Sequence, residues 1–174
     1  MLNNLGLVLQ EQDEHLEAIA LLQEAAERQT DPTTRARVLN NLAISLEERG
    51  QEERGQVALA YEQRVAAARA VAGSRGLVEA SAALSLGSTA RSLARFREAM
   101  AHLERAGALS QGTRFHREED LQRNWSTLWL ALGRVNLARE ALDRAEAAST
   151  QAADRWIIQL GRARLHLALG QPEP

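Results

Sequence analysis

One spaced set of small residues and leucines recurs down the chain. Leu5-Gly6 is followed by Ala18, twelve residues after the glycine, and then by Leu22 and Ala25, four and seven further on. The template returns at Leu86-Gly87 with Ala99, Leu103 and Ala106, and at Trp125-Ser126 with Ala138, Leu142 and Ala145. A second copy, from Leu42-Ala43, reads Gly55 and Leu59, with Glu62 where a small residue is expected, and a fifth begins near Arg162-Ala163. The small anchors lie 37, 44, 39 and 37 residues apart. Self-similarity at periods of about 20–50 residues marks stacked repeats, each unable to bury its apolar face alone.

Each copy reads as two helices. Leu2, Leu5 and Leu9, then Leu39, Leu42 and Leu46, stand at helical spacing. Turns follow at Gln12-Asp13, Gly50-Gln51, Ala94-Arg95 and Gly133-Arg134, before second helices such as Glu14 to about Gln29 and Phe96 to about Ser110. In the second copy the second helix reads on to about Ala72. Thr30-Asp31-Pro32 and Gly73-Ser74-Arg75-Gly76 separate the copies. Gly6 facing Ala18, and Gly87 facing Ala99, would let paired helices approach closely, with the leucines filling the space between hairpins.

The residues Leu5-Gly6…Ala18…Leu22…Ala25, Leu86-Gly87…Phe96…Ala99…Leu103…Ala106 and Gly133…Ala138…Leu142…Ala145 resemble the tetratricopeptide repeat family. The spacings exceed its standard motif of about 34 residues. They are more similar to the long repeats of kinesin light chains and of bacterial regulators with a sensor array. The resemblance implies an all-α fold, a right-handed αα-superhelix of four helical hairpins plus one C-terminal helix. It makes 1–174 a single domain with repeats at about 1–32, 33–75, 76–112 and 113–151 and a partial copy at 152–174.

Composition excludes several function classes. A formal net charge of -2 argues against generic binding to nucleic acid or a membrane surface, which needs clustered positive charge. With no cysteine there is no disulfide, thiolate metal site or cysteine nucleophile. All 21 basic residues are arginine, which we attribute to the coding bias of a GC-rich bacterial genome. There is no basic segment followed by an apolar run at the N-terminus, and no apolar run near the ~20 residues of a membrane span. Cytoplasm is the default expectation.

Catalytic constellations are not found. His15, His102, His116 and His166 do not pair at ligand spacing. The run His116-Arg117-Glu118-Glu119-Asp120 reads as first-turn carboxylates favoured by the helix dipole. The missing lysine forbids a phosphate-binding P-loop, and Ser85-Leu86-Gly87-Ser88 lies within a helix, unlike a nucleophile elbow. Trp125 and Trp129 share a helix face and read as core, with ligand stacking as the alternative. No enzyme activity, cofactor or metal is expected.

The remaining oddity is a pair of poor helix formers used twice, Asn3-Asn4 and Asn40-Asn41. The second of each pair stands two residues before the anchor, a register that gives Asn4, Asn41, Ser85 and Asn124 in the four copies. The position before it, Asn3, Asn40, Leu84 and Arg123, drifts. The resemblance implies that first helices line a concave groove, where a carboxamide can pair with both groups of an extended peptide backbone. Arg37, Ser88, Arg91 and Thr127 are further inward-facing candidates. Arginines in one groove suit an acidic peptide or a C-terminal carboxylate. The chaperone-tail carboxylate clamp is not matched, since Asn3 and Leu7 stand where it has lysine and asparagine. Equally, Asn4, Asn41 and Asn124 would serve to bond adjacent hairpins and set the register of the stack.

Both ends read as uncapped. Met1-Leu2 begins within a helix, the helix from Asp154 to Gly170 carries apolar residues on more than one face, and Gly170-Gln171-Pro172-Glu173-Pro174 reads as a turn towards a further helix. We expect a fragment of a longer protein, or a chain that covers its ends as a homodimer. The leading functional expectation is a non-catalytic protein- or peptide-binding scaffold, the sensor or assembly segment of a bacterial regulator. The alternatives are a self-association module and a small-molecule sensor around Trp125, Arg123 and Arg91.

Overall fold

A computed structural model describes residues 1–50, 55–74, 76–112, 115, 117–149 and 152–170, with side chains from 155 onward in the last segment. The described residues form only helices: α1 (Leu2–Glu11), α2 (His15–Arg28), α3 (Pro32–Gly50), α4 (Gln56–Ala70), α5 (Leu77–Ser92), α6 (Phe96–Ser110), α7 (Glu118–Ala131), α8 (Val135–Ala148) and α9 (Ala152–Ala168). Each odd helix packs on the next even one, and each even helix on the odd helix that follows. The result is a solenoid of four hairpins and a final helix, as the repeat implies. The turn at Gln51, His116 and the tail 171–174 lie outside the described residues.

Three of the hairpins turn in the same way. Asp13 (φ 61°), Ala94 (φ 57°) and Gly133 (φ 70°) all adopt the left-handed conformation just after the first helix. In each, the next amide reaches back to the last turn: Glu14 N–H to Leu9 C=O (2.9 Å), Arg95 to Ala90 (2.9 Å) and Arg134 to Trp129 (2.8 Å). That closes carbonyls a helix end would otherwise leave bare. Entry to α3 is set by Asp31, whose Oδ2 accepts the Thr34 N–H at 2.7 Å, with Pro32 at the first helical position. The Thr34 side chain, and then its N–H, lower the pKa of the Asp31 carboxyl from its ordinary value.

Small anchors do let the helices close, but against leucine. A Cβ on Gly6 would stand 2.8 Å from Leu22 Cγ, and one on Gly87 2.7 Å from Leu103 Cδ2. In the first and third hairpins the template leucine therefore seats on the glycine of its own hairpin. Leu22, Leu103, Ala18 and Ala99 are fully buried. Gly161 uses the same device between hairpins, where an added Cβ would stand 2.8 Å from Leu142 Cδ2 of the preceding helix.

The second hairpin corrects the sequence register. Leu59, assigned to the large position, is 44% exposed, whereas Ala60 and Ala67 are fully buried and Arg64 is 7% exposed. Ala60, Arg64 and Ala67 reproduce the spacing of Ala18, Leu22 and Ala25, so the template slides by five residues from Gly55. Part of the slide lies in α3, which runs seven residues past Ala43 where α1 and α5 run five past Gly6 and Gly87. The fourth large position is thus an arginine, and α4 ends at Ala70, two residues short of the expected Ala72.

Candidate functional site

A buried arginine at a leucine position must find acceptors, because an unpaired charge in the core costs several kcal/mol. Arg64 finds them on two neighbouring first helices. Its Nη2 meets Glu47 Oε2 of α3 at 2.7 Å and its Nη1 meets Glu47 Oε1 at 3.1 Å, a bidentate pair. Nη1 also reaches the Ser85 carbonyl of α5 at 2.9 Å and the Thr89 hydroxyl. Thr89, fully buried, donates to Glu47 Oε1 at 2.6 Å. Burial pulls the Arg64 pKa below its ordinary value and the Glu47 charge opposes that shift.

This hub belongs to a polar ladder that ties first helices together. Gln10 Nε2 of α1 donates to the Asn41 carbonyl at 2.7 Å, with Ser45 Oγ at 2.6 Å. Asn41 Nδ2 donates to Asn3 Oδ1 at 2.9 Å. Arg117, at the start of α7, donates to Ser85 Oγ at 3.3 Å and to Asp120 Oδ2 at 3.0 Å. Asp120 is also paired with Arg123. Burial pushes the Asp120 carboxyl up, and Arg117 and Arg123 outweigh it, so that its pKa lies below the ordinary value. Glu118, Glu119 and Asp120 do occupy the first turn of α7.

Two cavities open beside this ladder. The larger group of candidate residues lines one of about 350 Å³, where Ser85, Ser88 and Arg91 of α5 face Arg123, Asn124 and Thr127 of α7. Its far wall is Ile157, Leu160 and Arg164 of α9. Asp120 is the one carboxylate among its lining residues, against five guanidiniums: Arg64, Arg91, Arg117, Arg123 and Arg164. The other cavity, about 420 Å³, takes in Arg37, Asn40 and Asn41 of α3 and again Arg117. Asn40 Oδ1 is buried there without a hydrogen-bond partner.

The asparagine register divides once geometry is known. Asn4 is exposed, and Asn41 is bonded to Asn3 in the neighbouring hairpin. Asn124 donates to the Asp120 carbonyl of its own helix at 2.9 Å, and Thr127 to the Arg123 carbonyl at 3.0 Å. The inter-hairpin bond therefore joins Asn41, of the regular register, to Asn3, from the position that drifts along the sequence. Trp125 and Trp129 stack on each other with centroids 5.2 Å apart and pack against the core.

Arg64, Arg117 and Arg164 escaped the sequence analysis. Arg64 was detectable as the large member of Ala60…Arg64…Ala67, had the template been allowed to slide. Arg117 was set aside with the acidic run beside it, and nothing in the spacing singles out Arg164.

Among the described residues, no helix is long and apolar enough to cross a membrane, and no three His, Asp or Glu side chains are grouped as metal ligands. No curated protein matches the chain. A family model described as tetratricopeptide repeat matches residues 1–54, which hold the first hairpin and the first helix of the second. Residues 1–54 thus match the tetratricopeptide repeat family, and the helical hairpin found there recurs through α8.

Proposed function

We propose that the chain is a non-catalytic scaffold that binds an acidic protein segment in the groove between α5, α7 and α9. Tetratricopeptide repeats generally mediate protein–protein interaction. The observation that carries the finer reading is the excess of cations along the groove: five guanidiniums line it, and the carboxylates paired with them are Asp120, Glu47 and Glu119. Focused positive potential over apolar walls attracts carboxylates and strengthens each ion pair formed there. An arginine also offers a planar fork that matches a carboxylate in two hydrogen bonds.

Calorimetry with a glutamate-rich decapeptide and its glutamine counterpart tests this. The acidic peptide should bind more tightly, with an affinity that falls as salt rises. Arg123→Gln should weaken it severalfold, because it removes one of the positive charges that line the groove. Equal affinity for the two peptides, or no binding of either, would remove the reading.

One observation favours a second reading, self-association. Trp156 is 64% exposed and Leu167 75% exposed on α9, with Leu160 at helical spacing between them. In a homodimer through α9, Trp156→Glu would shift the mass measured by light scattering from dimer to monomer. A monomeric unsubstituted chain at high concentration would reject it.

A further inference from the structure

The arginines of the groove are not equivalent. Three of the five are already neutralised: Arg64 by Glu47, Arg117 by Asp120, and Arg123 by Asp120 and Glu119 together. Arg91 of α5 and Arg164 of α9 form no hydrogen bond or ion pair with a described residue, although both line the cavity. Arg91 Nε is buried with nothing to donate to.

The nearby carboxylates are already engaged by other arginines. Both oxygens of Glu47 are taken by Arg64, and Thr89 adds a third bond. Both oxygens of Asp120 are taken as well, Oδ2 by Arg117 and Oδ1 by Arg123. Burial lowers the Arg91 pKa most, Glu47 counters it, and the Arg164 charge lowers it further, so the two guanidiniums act on each other as like charges. The walls around them include Leu84, Leu130, Ile157 and Leu160, which reduce screening by water. A half-buried donor group without an acceptor, beside a second cation, is costly unless something anionic completes it.

We infer that Arg91 and Arg164 form an anion subsite at the α9 end of the groove, which takes an oxyanion, a carboxylate or phosphate, and ties α9 to α5. The inference rests on the acidic-segment reading for one of its two sources, an acidic side chain of a bound peptide. The other source is a free small anion in the same place. In both, the oxyanion accepts from the two guanidinium forks and removes their repulsion. Since α5 and α9 belong to different hairpins, the bound anion bridges them and slows the opening of the terminal helix.

The glutamate-rich decapeptide and inorganic phosphate are the two probes, each titrated into the unsubstituted chain, Arg91→Gln, Arg164→Gln and the control Arg97→Gln on α6. Arg164 is exposed, so its substitution tests the subsite even if Arg91→Gln perturbs folding; circular dichroism monitors that. Both groove variants should lose about tenfold in affinity for a probe that binds, with Arg97→Gln unchanged. Backbone hydrogen exchange in α9 should slow when that probe is added, and not in Arg164→Gln. Peptide binding that is equal in all four proteins overturns the subsite and leaves the groove reading standing. Phosphate binding lost in the two variants, with no peptide binding, upholds the subsite for a free anion and removes the groove reading. Binding of neither probe overturns both.

Discussion

Arg64→Ala should destabilise the protein by about 3–5 kcal/mol, the cost of removing one partner of a buried ion pair. The substitution leaves Glu47, whose side chain is only 23% exposed, without its bidentate partner, and it empties a leucine-sized site. The double substitution Arg64→Leu with Glu47→Leu should instead lie within about 1 kcal/mol of the unsubstituted chain, since apolar replacement of a whole buried pair is often neutral or better. It restores the leucine of the other three hairpins. Thr89 also stands 3.2 Å from the Ser85 carbonyl and can donate to it once Glu47 is gone. Urea unfolding of the three proteins measures both effects. An Arg64→Ala protein as stable as the original would mean that the ionic hub contributes nothing to the stack.

Leu103→Ala should cost about 2–5 kcal/mol, whereas Leu59→Ala should cost about 0.5 kcal/mol or less. Leu103 is fully buried, with Cδ2 seated where a Cβ on Gly87 would be 2.7 Å away, so no neighbouring side chain can collapse cheaply into the space. Leu59 is 44% exposed and loses little on truncation. Thermal denaturation of the two variants compares them directly. Similar losses would restore the unshifted register for the second hairpin, with Leu59 in the core.

Much of the architecture was legible in the chain. The small residues at Gly6, Gly87 and Ser126, and the leucines at Leu22, Leu103 and Leu142, mark close helix approach wherever they recur, because that approach is a local steric requirement. The hairpin turns were legible for the same reason, although Asp13 and Ala94 reach the left-handed conformation without being glycine. The second hairpin was misread because a fixed spacing was carried across a lengthened α3. An arginine in the large position was then hidden by the assumption that this position is apolar.

The candidate groove was only partly legible. Six of its proposed residues, Ser85, Ser88, Arg91, Arg123, Asn124 and Thr127, line one cavity, because repeat register places them on successive first helices. Which of those groups remain free for a ligand depends on pairings between hairpins, and these join residues tens of positions apart, such as Asn3 with Asn41 and Glu47 with Thr89. Repeat periodicity specifies which face of a helix turns inward, since each helix follows the same 3.6-residue geometry. It does not specify which side chains then meet across the stack. That is decided by helix length, by the five-residue slide and by where α9 comes to rest, and so Arg64 is spent within the core while Arg91 and Arg164 have no partner among the described residues.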